Sequence, residues 1–237
     1  MDTKYEFSGK VRYSEVDETG RLSLNALVNY FQDVSTFQSE HLGIGLDYLK
    51  EHRVAWILSS WQIVVNRYPK LCETVKAQTW PYEFKGFYGM RNFTLLGEKD
   101  EMLAKANSVW VLYDQESSRP VRVFPEIIEA FQFGDKMDME YAPRKITLPK
   151  NGEERECFLI TKNHLDTNHH VNNGQYIAMA AEYLPENFFI RQMRAEYRLQ
   201  AHLHDEVFPI IYREGKKVTV ELGNAEGKAY AAVEFME

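Results

Sequence analysis

The sequence predicts an α+β protein built from two tandem copies of one unit. In each copy a long helix is wrapped by antiparallel strands of a shared sheet. Two observations predict it. A strand, a polar turn, a helix with one apolar face and a run of strand-like segments follow one another in the first half, and the same order returns in the second. An apolar residue followed by Asp precedes each helix, Val16-Asp17 in one half and Leu165-Asp166 in the other. A single such sheet buries one face of its helix but keeps an open edge. Two units in one chain can pair those edges.

Taken in order, Tyr5 to Tyr13 alternates as a strand does, and Glu15 to Gly20 is a polar turn. Ser23 can cap a helix by accepting a free backbone N–H. Leu24, Leu27, Val28, Phe31 and Val34 then recur at spacings of three and four, which gives that helix an apolar face. Gly43 and Gly45 break it. From Val54 the texture turns to β: Trp56 to Val65, Thr74 to Trp80, Phe87 to Leu96 and Leu103 to Tyr113 are strand-like, punctuated by Pro69, Pro81, Gly86, Gly97 and Asp100. Glu126 to Phe133 reads as a short helix.

Residues 134–152 are charged, carry Pro143 and Pro149, and have no period, so they read as a linker between domains at 1–133 and 153–237. In the second half Arg155 to Thr161 is expected as a strand and Lys162 to Asn172 as a polar loop. A helix over Asn173 to Leu184 is stopped by Pro185. Strands are expected over Phe189 to Leu199, Glu206 to Arg213, Lys217 to Leu222 and Ala229 to Phe235.

Composition bounds the function. The 237 residues are 44% apolar and 14% aromatic, enough for a substantial core. A net charge of −7 speaks against a general nucleic-acid binder. Cys72 and Cys157 are the only cysteines, too few for a disulfide framework or a cysteine-rich metal site. Cys157, in a strand, is expected to be a small buried hydrophobe. MDTKYEFSGK lacks the pattern of a secretory leader, and no run approaches the roughly 18 apolar residues of a membrane helix. A reduced, cytoplasmic protein with no membrane insertion is expected.

Chemistry is densest in Ile160 to Leu184, where Asp166, Asn168, His169, His170, Asn172 and Asn173 crowd in front of an apolar helix. Read alone, Asp166 suits a turn, and Asn172 and Asn173 suit helix capping. His170 fits packing or catalysis equally. No familiar zinc spacing joins His164, His169 and His170, or His202, His204 and Asp205, so neither a metal nor another cofactor is expected.

The string LDTNHHVNNGQYI, Leu165 to Ile177, resembles the active-site loop and helix start of the acyl-carrier-protein thioesterases. The EYR of Glu196 to Arg198 is similar to the strand that follows in that family. The resemblance implies a tandem double hot-dog fold. It also implies hydrolysis of fatty acyl-[acyl-carrier-protein] thioesters, which releases free fatty acid and ends elongation in fatty acid biosynthesis. The family's Asp, Asn and His fall on Asp166, Asn168 and His170. Plant members carry a Glu-Cys pair shortly after EYR; here Gln200 and Ala201 stand there. A cysteine nucleophile at that point is therefore ruled out, and Gln200 is left with a supporting role.

Within that reading, N–H groups at the start of the Asn173 helix could hold the thioester oxygen, while Asp166 or His170 activates water. Aligned on Asp17, the first repeat has Thr19 and Arg21 where the second has Asn168 and His170, so one active site per chain is expected. The resemblance assigns the acyl pocket to the first domain, with Leu27, Phe31 and Trp56 as linings. The implied partner is an acyl carrier protein. It is acidic and would need local positive charge, from among Arg144, Lys145, Arg191, Arg194, Arg198, Lys216 and Lys217. The chain would act as a monomer or homodimer. The alternatives are a hydrolase of coenzyme A thioesters and a non-catalytic hot-dog module that senses acyl thioesters.

Overall fold

The computed structural model describes residues 4–166 and 169–237. It divides into two compact units, Met1–Ser59 with Ile63–Tyr141, and Ser60–Gln62 with Ala142–Glu237. Among the described residues, no helix is long and apolar enough to cross a membrane.

In the first unit, β1 (Tyr5–Lys10) leads through a 3-10 turn to α1 (Leu24–His41), and α2 (Leu46–Glu51) follows. Ser23 caps α1 as expected: its hydroxyl accepts the Ala26 N–H at 3.2 Å. The buried face is Ala26, Leu27, Val28, Tyr30, Phe31 and Val34, with Ser35 and Gln38 further along. Gly43, at φ 72°, lets the chain turn out of the helix. Strands β2 (Val54–Val65), β3 (Thr74–Lys85), β4 (Tyr88–Leu96), β5 (Met102–Asp114) and β6 (Arg119–Pro120) follow, then α3 (Pro125–Ala130). Their order is β1-β3-β4-β5-β2, with β6 on β5, and α1 lies against β1 and β3.

Pro81 does not end β3, as the sequence suggested. The β3–β4 register shifts between Pro81 and Glu83. A bulge there lets the strand pass a residue that has no N–H to give to the ladder.

In the second unit, β7 (Glu153–Glu154) and β8 (Phe158–Leu159) replace the single strand expected over Arg155 to Thr161. Both pair with β10 (Glu206–Glu214), β8 against Glu206 and Val207 and β7 against Ile210 and Ile211. Pro209 sits between the two pairings and has no N–H to offer. Cys157 falls in that gap and is exposed, which overturns the expectation of a buried strand cysteine.

The helix α4 (Asn173–Ala181) is shorter than expected because its last turn tightens, Tyr183 and Leu184 donating to the carbonyls of Ala180 and Ala181. It lies on β11 (Lys217–Gly223) and β12 (Ala229–Met236). With β9 (Gln192–Tyr197), the strand order is β9-β12-β11-β10-β7. Tyr176, Ile177 and Ala180 are buried, as are Met193, Val220, Val233 and Phe235 of the strands.

The segment expected as a linker is tied down by side chains rather than by its own secondary structure. Arg194 of β9 donates to the carbonyls of Pro143 (2.6 Å) and Lys145 (3.1 Å) and pairs with Glu234 at 2.8 Å. The buried Glu196 accepts the Ile146 N–H at 2.8 Å, and Arg198 donates to the Ile146 carbonyl at 3.3 Å. Arg194 and the Glu-Tyr-Arg run thus together hold residues 143–146 on this sheet.

Candidate active site

Asp166 and His170 lie in a tight loop bracketed by a single bridge between Leu165 and Val171. The Asp166 N–H donates to the His170 carbonyl at 2.8 Å, the His169 N–H to the Asp166 carbonyl at 3.1 Å, and the His170 N–H to Asp166 Oδ1 at 3.4 Å. These bonds, one from the backbone N–H of each partner, fix where the His170 side chain starts. Asn168 lies outside the described residues.

The first repeat builds the same loop with other side chains. Val16 and Leu22 form the bridge, the Asp17 N–H donates to the Arg21 carbonyl at 2.8 Å, and the Arg21 N–H reaches Asp17 Oδ1 at 3.3 Å. Here Thr19 spends its hydroxyl and its N–H on Asp17 Oδ1, at 2.7 and 2.8 Å. The Arg21 guanidinium turns to the Tyr68 carbonyl, at 3.4 Å. The bonding pattern is repeated and the side chains are not.

The helix start after the second loop is partly spoken for. Asn172 caps it, its side chain accepting the Gly174 N–H at 2.8 Å, while its carbonyl takes the Gln175 N–H at 2.9 Å. Among the described residues the Asn173 N–H has no acceptor. The Tyr197 hydroxyl donates to the Asn173 carbonyl at 3.0 Å and so pins this end of α4 to β9. One N–H at the positive end of a helix suits a developing negative charge.

His170 is half-buried, and across from it stands His202, on the segment between β9 and β10. Their ring centroids are 4.9 Å apart and their planes meet at 78°, edge to face. Burial, aided by His202, holds the His170 imidazole below the usual histidine range, while Asp166 pulls the other way. The pairing spans 32 positions of sequence (202 minus 170) with no local pattern to mark it.

The segment carrying His202 is anchored on both sides. The Val171 N–H donates to the Ala201 carbonyl at 3.1 Å, and the Ala201 N–H donates to the hydroxyl of the buried Tyr176 at 2.9 Å. Asp205 accepts the His202 N–H at 2.8 Å and stands 3.7 Å from its Nδ1. Sequence reasoning weighed His202 and Asp205 only as metal ligands and passed over Tyr176. Among the described residues, no three His, Cys, Asp or Glu side chains converge as metal ligands would.

The remaining expected site residues are placed as follows. Gln200 is exposed and has no hydrogen-bond partner among the described residues. Leu27 and Phe31 are buried on α1, Phe31 against Phe93 with centroids 5.3 Å apart. Trp56 packs on Phe84 beside a cluster of Ile44, Val54, Leu112, Val123, Ile127 and Phe131. Among the cations expected to meet a carrier, Arg194, Arg198 and Lys217 are engaged in ion pairs within the second unit. Lys145 and Lys216 are exposed.

Comparison with known proteins fits this arrangement. Residues 2–131 match the acyl-ACP thioesterase N-terminal domain and residues 149–233 the acyl-ACP thioesterase C-terminal domain. A chloroplastic acyl-carrier-protein hydrolase of Cuphea viscosissima is 28% identical over 214 residues, covering 83% of this chain and 50% of that protein. A chloroplastic palmitoyl-acyl carrier protein thioesterase of Gossypium hirsutum is 28% identical over 206 residues, covering 79% of this chain and 50% of that protein. The chain thus spans about half the length of these curated relatives.

Among solved structures, an acyl-ACP thioesterase from Bacteroides thetaiotaomicron superposes with a TM-score of 0.91 at 20% identity, covering 99% of this chain and 98% of that one. The 12:0-ACP thioesterase from Umbellularia californica gives 0.87 at 20% identity, covering 100% and 97%. At that identity the likeness establishes the fold, a hot-dog architecture. With both domains of one family matched in order along its length, the chain belongs to the acyl-ACP thioesterase family.

Proposed function

We propose that this chain hydrolyses the thioester of fatty acyl-[acyl-carrier-protein] and releases free fatty acid, ending chain elongation in fatty acid biosynthesis. The observation that carries the reading is the contrast between the two loops. Both are closed by the same backbone bonds, yet only the second presents a half-buried imidazole next to a helix start. The relatives, named as acyl-carrier-protein hydrolases and thioesterases, support the substrate class.

In this proposal His170 is the general base. An imidazole kept uncharged by burial can accept a proton from water near neutral pH. The resulting hydroxide adds to the thioester carbonyl, whose oxygen becomes negative beside the Asn173 N–H. The tetrahedral intermediate then collapses, the carbon–sulfur bond breaks, and the departing thiolate takes the proton from His170. Asp166 holds the loop in place through the His170 N–H. Asn168, by family resemblance, orients the water or the carbonyl. Among the described residues Gln200 has no hydrogen bond to give it a positioning role of its own.

The first domain, at 1–133, would house the acyl chain, with Leu27, Phe31 and Trp56 among its linings, and the second, at 153–237, the chemistry. Lys145 and Lys216 are the exposed cations best suited to an acidic carrier. Two exposed free thiols, Cys72 and Cys157, suit a reducing compartment such as the cytoplasm. Free fatty acid released from one acyl group carried in turn by acyl carrier protein and by coenzyme A tests the reading. Faster release from the carrier protein supports it, and release from coenzyme A alone would replace it with the coenzyme A alternative.

A further inference from the structure

Beyond the base itself, the site holds a second imidazole for which the reaction as described has no use. His202 is largely exposed, so packing does not explain its place. It nevertheless meets His170 edge to face at 4.9 Å. Its backbone is fixed by Asp205, whose carboxylate accepts the His202 N–H at 2.8 Å and lies 3.7 Å from Nδ1. Asp205 is itself steadied by the Tyr230 hydroxyl of β12, at 3.4 Å. A chain of contacts therefore runs from β12 through Asp205 and His202 to the proposed base.

We propose that His202 is a positioning residue for His170: anchored by Asp205, it sets the plane of the His170 ring and opposes a proton there. The inference rests on the hydrolase reading above for its meaning, though its physical content does not require turnover. Two imidazoles in ring contact resist carrying charge together, so a proton on one hinders a proton on the other. The Asp205 carboxylate stands on the His202 side, 3.7 Å from Nδ1. His170 faces Asp166 and His169 on its own loop and His202 on the β9–β10 segment. Asp166 attracts a proton to His170; His169 and His202 oppose it. Asp205 faces His202, Tyr230 and, from α4, Tyr176.

The test is His202→Phe, which keeps an aromatic ring against His170 and removes the ionisable nitrogens, with His202→Asn as a second variant that shortens the side chain. The His170 ring protons are titrated by NMR in wild type and in both variants, without substrate, the resonance being identified by its absence in His170→Ala. The midpoint is expected to rise in both variants. Alongside, kcat/KM is followed against pH on a straight-chain acyl-carrier-protein panel. The acid limb is expected to move to higher pH. His202→Asn, lacking the ring, is expected to lower kcat on the order of tenfold with KM unchanged. An unmoved titration midpoint in both variants would overturn the proposal, whatever the activity. A wild type that hydrolyses no member of the panel would sink the hydrolase reading but leave the titration result standing.

Discussion

Gly20 and His169 hold the same place in two copies of one loop, and both adopt a left-handed backbone, with φ of 72° and 61°. A side chain there is strained, by about 1–2 kcal/mol. The ring of His169 is exposed, and the equivalent Gly20 has open space around it. His169→Gly should therefore leave turnover within twofold and raise stability by up to about 1 kcal/mol, the greater freedom of glycine in the unfolded chain offsetting part of the relief. Denaturant unfolding and steady-state kinetics check this. A large loss of turnover would move the catalytic role from His170 to its neighbour.

Tyr176 should matter out of proportion to its distance from the chemistry. Its hydroxyl receives the buried Ala201 N–H at 2.9 Å and so fastens the segment that carries His202. Tyr176→Phe strands that N–H, which costs about 1–3 kcal/mol. The melting temperature should fall, and kcat should fall more than KM rises. Tyr176→Phe with wild-type stability and kcat would show that this bond is not holding the segment.

Among the described residues, the buried Arg91 of β4 has no carboxylate partner. Its guanidinium donates to Gln38 Oε1 at 2.7 Å, reaches the Ser35 carbonyl at 3.5 Å, and stacks over Phe131. Burial alone pushes it below the usual arginine range. Gln38→Leu removes its best acceptor and should destabilise by about 1.5–3 kcal/mol. The double variant Gln38→Leu, Arg91→Met should be more stable than Gln38→Leu, because the stranded charge is gone. Chemical denaturation of the pair checks this, and strict additivity would refute it.

Acid sensitivity should trace to Arg67. It binds Glu73 at 2.6 and 3.0 Å and Glu101 at 2.6 and 2.9 Å. Hydrogen bonds from Arg67 hold Glu73 below its ordinary value of 4.5. A depressed folded-state value means the stabilisation is complete above 4.5 and is lost as pH falls through the folded value. The stability gap between wild type and Arg67→Met should be widest near neutral pH and shrink below 4.5. A gap independent of pH would place the effect in packing alone.

Much of this was legible in the sequence. The spacing from Leu24 to Val34 located α1, Ser23 marked its cap, and the paired Asp17 and Asp166 revealed the repeat, because each of these signals is local. Other features depend on partners far along the chain. Pro81 reads as a terminator until the bulge against β4 is seen. Pro209 splits its neighbouring strand only because that strand lies beside it. The ring contact of His170 with His202 and the service of Tyr176 to Ala201 are tertiary, so residue types alone could not single them out. The cations suffered most, since Arg194 and Arg198 looked available for a carrier and instead brace residues 143–146.

The central claim is that His170 activates water for hydrolysis of an acyl-carrier-protein thioester. The most direct test measures free fatty acid released from an acyl-carrier-protein panel by wild type and by His170→Ala. The account predicts turnover by wild type and a loss of about 10²–10⁴ in the variant, the range of general base catalysis. Equal turnover by the two proteins would contradict it.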